Sequence, residues 1–104
     1  ECQYCLSAHT MISRGAGLSD EQIITARQGT AENTLDNALV KLAVILVKQR
    51  GVITDEQLSD ARTHGVDEGL VFEVLAQVSA NTFTNYANHV ADTDIDFPKV
   101  NVQL

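Results

Sequence analysis

Three side chains near the start of the chain have the types and spacing for redox chemistry. Cys2, Cys5 and His9 form the pattern C-x-x-C-x-x-x-H, and they include both cysteines and one of the three histidines of the sequence. In a helix these positions are i, i+3 and i+7 and share one face. Thiols three residues apart in a helical turn lie close enough to form a disulfide. The thiolate is the nucleophilic form of cysteine. Its pKa falls at a helix N-terminus, beside a basic group, or in a Cys-x-x-Cys motif. A thiolate attacked by peroxide becomes a sulfenic acid, and a second thiol condenses with that to a disulfide. The first reading of Cys2 and Cys5 is therefore a redox dithiol, with His9 placed to take or stabilise a thiol proton.

Two other uses of the same residues compete with it. Two cysteines and a histidine could bind zinc, but a structural zinc site takes four ligands. The sequence holds no second C-x-x-C and no H-x-x-x-H, so His64 or His89 would have to supply the fourth through the fold. The cysteines could also pack as small apolar side chains, although no apolar stripe in the sequence demands them there. The redox reading is preferred to both.

The motif, with Thr10, Arg14 and Gly17-Leu18-Ser19-Asp20-Glu21 after it, resembles the carboxymuconolactone decarboxylase family in its alkyl hydroperoxidase D branch. The segment Thr93-Asp94-Ile95-Asp96-Phe97-Pro98 is similar to the way many members end. The resemblance implies an all-α fold that oligomerises as a trimer, or as a hexamer built from trimers. It implies a cysteine-based peroxidase or disulfide reductase that acts on a hydroperoxide and is recycled by an external dithiol or thioredoxin-like reductant. Neither a metal nor an organic cofactor is expected. Position by position, Cys5 matches the peroxide-attacking cysteine, Cys2 the resolving cysteine that meets the reductant, and His9 the proton-relay histidine. The relay also uses a glutamate about a dozen residues before the first cysteine. That position precedes Glu1, so residues 1–104 are expected to be a single domain lacking its N-terminal helices. Within the family the alternative is decarboxylation of a carboxylated lactone, which does not depend on the cysteine pair. From another class, the alternative is a non-catalytic helical module whose cysteine pair binds zinc.

The elements that must position these residues can be read from caps and periodicity. A chain of 104 residues suits one modest core. Its net charge of −7 argues against nucleic acid and anionic membranes as partners. Two cysteines so close together do not make a secreted disulfide framework, and no signal peptide is recognisable, so a reducing, cytoplasmic setting is expected. The apolar run Leu42 to Val47 lies between Lys41 and Lys48 and is too short to span a bilayer.

A first helix is predicted from about Cys2 to Arg14, ended by Gly15 and Gly17. Ser19 and Gln22 read as a capping box opening a short helix that ends near Gly29, and Thr54 and Gln57 repeat the device before Gly65. Ala26-Arg27 and Ala61-Arg62 stand at matching offsets, so a weak internal repeat of helical hairpins is expected. In the second copy Val40 takes the place of Cys5, which confines the chemistry to one half. Between the two boxes a helix from about Asn33 to Arg50 is apolar nearly all round, which predicts burial against another subunit.

The last long helix runs from Asp67 to about Ala91, with Asn81, Asn85, Asn88 and His89 as polar positions. His64 suits a helix C-terminus. His89 reads as an ordinary surface histidine, and Tyr4 as a packing residue that could shape a pocket. Residues 100–104 are expected to form an extended arm on a neighbouring subunit.

Overall fold

The computed structural model describes residues 1–104 and is all-α. Its five helices are α1 (Gln3–Gly15), α2 (Asp20–Arg27), α3 (Thr34–Lys48), α4 (Asp55–Thr63) and α5 (Glu68–Ala91), with no strand. None is long and apolar enough to cross a membrane.

Local chemistry sets the helix starts. A new helix leaves its first N–H groups without partners, and side-chain oxygens can accept them. The Ser19 N–H donates to Gln22 Oε1 at 2.9 Å, and the Gln22 N–H donates to Ser19 Oγ at 3.1 Å. Thr54 and Gln57 make the same reciprocal pair at 3.0 and 3.2 Å. Asn33 Oδ1 accepts from the N–H groups of Leu35 and Asp36, and Asp67 Oδ1 accepts from that of Leu70.

The exits after α2 and α4 need glycine. Gly29 and Gly65 have φ of +84° and +98°, in the left-handed region that L side chains rarely adopt. A Cβ on Gly29 would also stand 3.3 Å from Val44 Cγ2, tighter than ordinary contact.

Packing divides the chain into two compact units, one of residues 25–79 and one of residues 1–24 with 80–104. In the first, Ala38, Leu42 and Leu46 of α3 meet Ala61 and Val66 to form the core. Leu35, Leu39, Leu70, Val74 and Val78 pack around it. The spacing of the three α3 residues is i, i+4, i+8, which is one stripe of a helix. Burial on every side of α3, as its composition suggests, is not met within the single chain: Val47 is 59% exposed. A partner helix of only nine residues, α4, cannot cover the whole circumference.

The second unit contains α1, the second half of α5 and the irregular segment after it. Cys2, Cys5, Ser7, Ala8 and Thr10 are buried there, with Ile23. The segment after Asp92 lies along α1 of its own chain. The Val100 N–H donates to Ser7 Oγ at 3.1 Å, and Tyr4 meets Phe97 edge to face at 5.4 Å. Val100, the first residue of the arm expected on a neighbour, is bonded to α1 of its own chain. On α5, Phe83, Tyr86 and Val90 are 73, 67 and 88% exposed, and their i, i+3, i+7 spacing puts them on one face.

Leu42 is 1% exposed at the centre of the α3–α4 core. Leu42→Ala is expected to cost about 2–5 kcal/mol through lost burial and the cavity left behind. A fall in the urea midpoint at unchanged denaturant slope would register it.

Candidate functional site

Helix α1 begins one residue later than its spacing suggests, and that residue matters. Cys2 is the N-cap, with extended φ −123° and ψ 107°. Its carbonyl accepts the first intrahelical bond, from the Leu6 N–H at 2.9 Å. Its sulfur turns back over the first turn and accepts the Cys5 N–H at 3.3 Å. This brings Cys2 Sγ to 2.9 Å from Cys5 Sγ, with the Cys2 thiol as donor. Both cysteines are free and buried. A disulfide needs its sulfurs at about 2.05 Å, so closing the bond takes only a small side-chain rotation.

The two thiols are not equivalent. Burial pushes the Cys5 thiol up, but hydrogen bonding from Cys2, Asn85, Asn88 and Thr84 outweighs it, and the net pKa lies below the usual 9.0. Burial, together with the hydrogen bond that Cys2 gives to Cys5, pushes the Cys2 thiol above 9.0. Of the three α5 side chains, Asn88 has the defined hydrogen bond, from Nδ2 to Cys5 Sγ at 3.3 Å. The electrostatics therefore favour a Cys5 thiolate solvated by a Cys2 thiol.

The remaining residues singled out by the sequence fall in different places. His9 is exposed and makes no hydrogen bond to either sulfur. Cys5 and Ala8 occupy the buried side of α1, and the next residue, turned about 100° onward, faces solvent. Tyr4 is half-buried beside the pair. Partial burial, then the charge and hydrogen bond of Asp96, push its hydroxyl above the usual range. His89 lines an open groove of about 490 Å³ with Glu1, Cys2, Tyr4, Asn88 and Asp92. It is thus a wall of the same depression that Cys2 lines. His64 ends α4, its Nδ1 lying 2.8 Å from the Asp60 carbonyl oxygen, as its place in the sequence suggests. No three His, Cys, Asp or Glu side chains gather in a metal-binding group, and His89 does not complete one with the cysteines.

The contact that sequence spacing misses is Asn88, which is 83 residues from Cys5 along the chain. Its only local signal is a polar run, Asn81, Asn85 and Asn88 at i, i+4 and i+7, inside an otherwise apolar helix. Comparison with family models, curated proteins and solved structures finds no match for the chain.

The pKa difference has a direct consequence for reactivity. Only the thiolate is alkylated. In the folded protein Cys5 should keep reacting with iodoacetamide below pH 9.0, slowing only as the pH falls through its lowered pKa. In urea the same thiol should already slow as the pH drops below the ordinary cysteine value. Mass-resolved alkylation rates against pH in a Cys2→Ser background measure both midpoints. Coincident midpoints would contradict the depression.

Proposed function

We propose that this chain is a dithiol peroxidase or disulfide reductase of the alkyl hydroperoxidase type. The observation that carries the reading is the buried Cys2–Cys5 pair, with sulfurs 2.9 Å apart and ionisation favoured at Cys5. The C-x-x-C-x-x-x-H motif and its resemblance to the carboxymuconolactone decarboxylase family support the same chemistry.

In the proposed cycle the Cys5 thiolate attacks the terminal oxygen of a hydroperoxide. An S–O bond forms, the O–O bond breaks, and the alkoxide leaves and takes up a proton as alcohol. His9, open to water one turn beyond Cys5, is the proposed proton source. Cys5 is now a sulfenic acid. The Cys2 sulfur attacks it, the S–S bond forms and the S–O bond breaks. Hydroxide departs with the Cys2 proton as water. An external dithiol then exchanges at Cys2 and leaves as its own disulfide, returning both thiols. Access at Cys2 fits this last step, because Cys2 and not Cys5 lines the groove. A reducing compartment such as the cytoplasm suits a dithiol that must be recycled.

The same reading includes self-association. The exposed Phe83, Tyr86 and Val90 face of α5 and the exposed Val47 of α3 support assembly as a trimer, or as a hexamer of trimers. The matched capping boxes of α2 and α4 support the proposed repeat of helical hairpins.

One equivalent of an organic hydroperoxide should remove two hydrogens per reduced chain, read by intact mass, and Cys5→Ser should abolish the change. An unchanged mass with full retention of free thiol would sink the peroxidase. Phe83→Glu should shift the sedimentation coefficient toward that of the monomer with the helical circular dichroism intact. Identical sedimentation of the parent and the variant would remove this face from the assembly.

A further inference from the structure

Asn88 sits where a group acting on the Cys5 sulfur has to sit. Its Nδ2 is 3.3 Å from Cys5 Sγ and 2.9 Å from the Thr84 carbonyl oxygen. The second contact settles which way round the amide lies. A carbonyl oxygen only accepts, so the atom facing it is the NH₂ nitrogen. That nitrogen has two hydrogens. One is used by Thr84 on the preceding turn of α5, and the other is directed at the sulfur. The donor is thus held by the helix that carries it and needs no rearrangement when charge appears on Cys5.

The proximity to a buried sulfur gives this contact its weight. Cys5 is 8% exposed, so water supplies little of the hydrogen bonding that a thiolate has in solution. The Cys2 thiol supplies one donor, but it is consumed when the disulfide forms. His9, the basic group that the motif offers, is exposed and makes no bond to the sulfur. Asn85 and Thr84 also lower the Cys5 pKa, but Asn88 is the α5 side chain with a defined hydrogen bond to the sulfur, and its amide stays neutral across the pH range. The titratable groups around the sulfur are Cys2 and Tyr4 on α1, Asp96 behind Tyr4, and Glu1, His89 and Asp92 along the groove. Of these, the ionised Asp96, Glu1 and Asp92 carboxylates have no donor, and the Tyr4 hydroxyl is engaged with Asp96.

We propose that Asn88 is the thiolate-stabilising residue of the site, donating from α5 to Cys5 Sγ in the part that the sequence motif suggests for His9. The inference rests on Cys5 being the reactive thiol of the function proposed above. The lowered pKa of Cys5 is in the direction this bond requires.

The test is the midpoint of Cys5 alkylation by iodoacetamide against pH in a Cys2→Ser background, comparing Asn88→Ala, Asn88→Asp and His9→Ala. A hydrogen bond to an ionised acceptor is among the stronger kinds. Asn88→Ala should therefore slow alkylation about tenfold at pH values below the midpoint and leave the high-pH rate unchanged. Asn88→Asp keeps the shape but sets a carboxylate against the sulfur, so its midpoint should rise further than that of Asn88→Ala. His9→Ala should leave the midpoint in place. Helical circular dichroism of each variant reports folding, and alanine in a helix interior favours it. Unshifted midpoints in both Asn88 variants, or a shift in His9→Ala alone, would overturn the assignment. No peroxide enters this measurement. A midpoint set by Asn88 in a protein that peroxide does not oxidise would keep this inference and reject the peroxidase, and the reverse pair of results would do the opposite.

Discussion

The site depends on one backbone choice, the extended conformation of Cys2 at the head of α1. A residue inside the helix directs its side chain along the cylinder. A residue at the cap folds its side chain back over the first turn, where unpaired N–H groups gather. Cys2 does this with a sulfur in place of the usual oxygen. One position then serves two ends: it satisfies the Cys5 N–H and sets the two sulfurs at 2.9 Å. Sulfur is a weak acceptor, so the cap contributes less to helix stability than Asn33 or Thr54 contribute to theirs. Its return is the proximity of the thiols.

Burial then creates a problem that the surroundings answer. A sulfur removed from water resists ionisation, and burial is the largest single effect on both cysteines. On Cys2 nothing offsets it sufficiently, and the thiol stays protonated. On Cys5 the Cys2 thiol and the polar side chains of α5 reverse it. The asymmetry comes from position in the turn. Cys2 faces the open groove, and Cys5, three residues on, faces the polar stripe of α5. Two identical side chains are thus given different acidities by their neighbours alone.

The segment after α5 closes this unit from the other end of the chain. Ser7 is 1% exposed, and a buried hydroxyl without a partner costs about 1–3 kcal/mol. The Val100 N–H meets it, and Gln3 Nε2 donates to the Val100 carbonyl oxygen at 3.4 Å. Phe97 against Tyr4 adds an apolar contact on the same side. The first and last turns of the sequence therefore stabilise each other, and the orientation of Tyr4 beside the dithiol depends on residues more than ninety positions away. Ion pairs contribute little by comparison. Arg14–Asp20 and Arg62–Glu68 both lie in the solvent, where such pairs are weak.

Short-range chemistry is what the sequence determined by itself. The capping boxes at Ser19 and Thr54, the starts read near Asn33 and Asp67, and the glycines at positions 29 and 65 mark α2 to α5 to within a residue or two, because a cap is an interaction between residues two or three apart. The proximity of Cys2 and Cys5 was legible for the same reason. The tertiary structure decided everything that spans the chain. How much of α3 the chain itself covers was not legible, because composition counts apolar residues without knowing how long the covering helix is. The exposure of His9 was not legible either, because phase along a helix states which residues share a face but not which face is buried. Val100 met Ser7 of α1, and Asn88 reached Cys5, through contacts between chain ends that no local spacing encodes. Hydrogen-bond donors act on a sulfur over about three ångströms of space, whatever the separation in sequence.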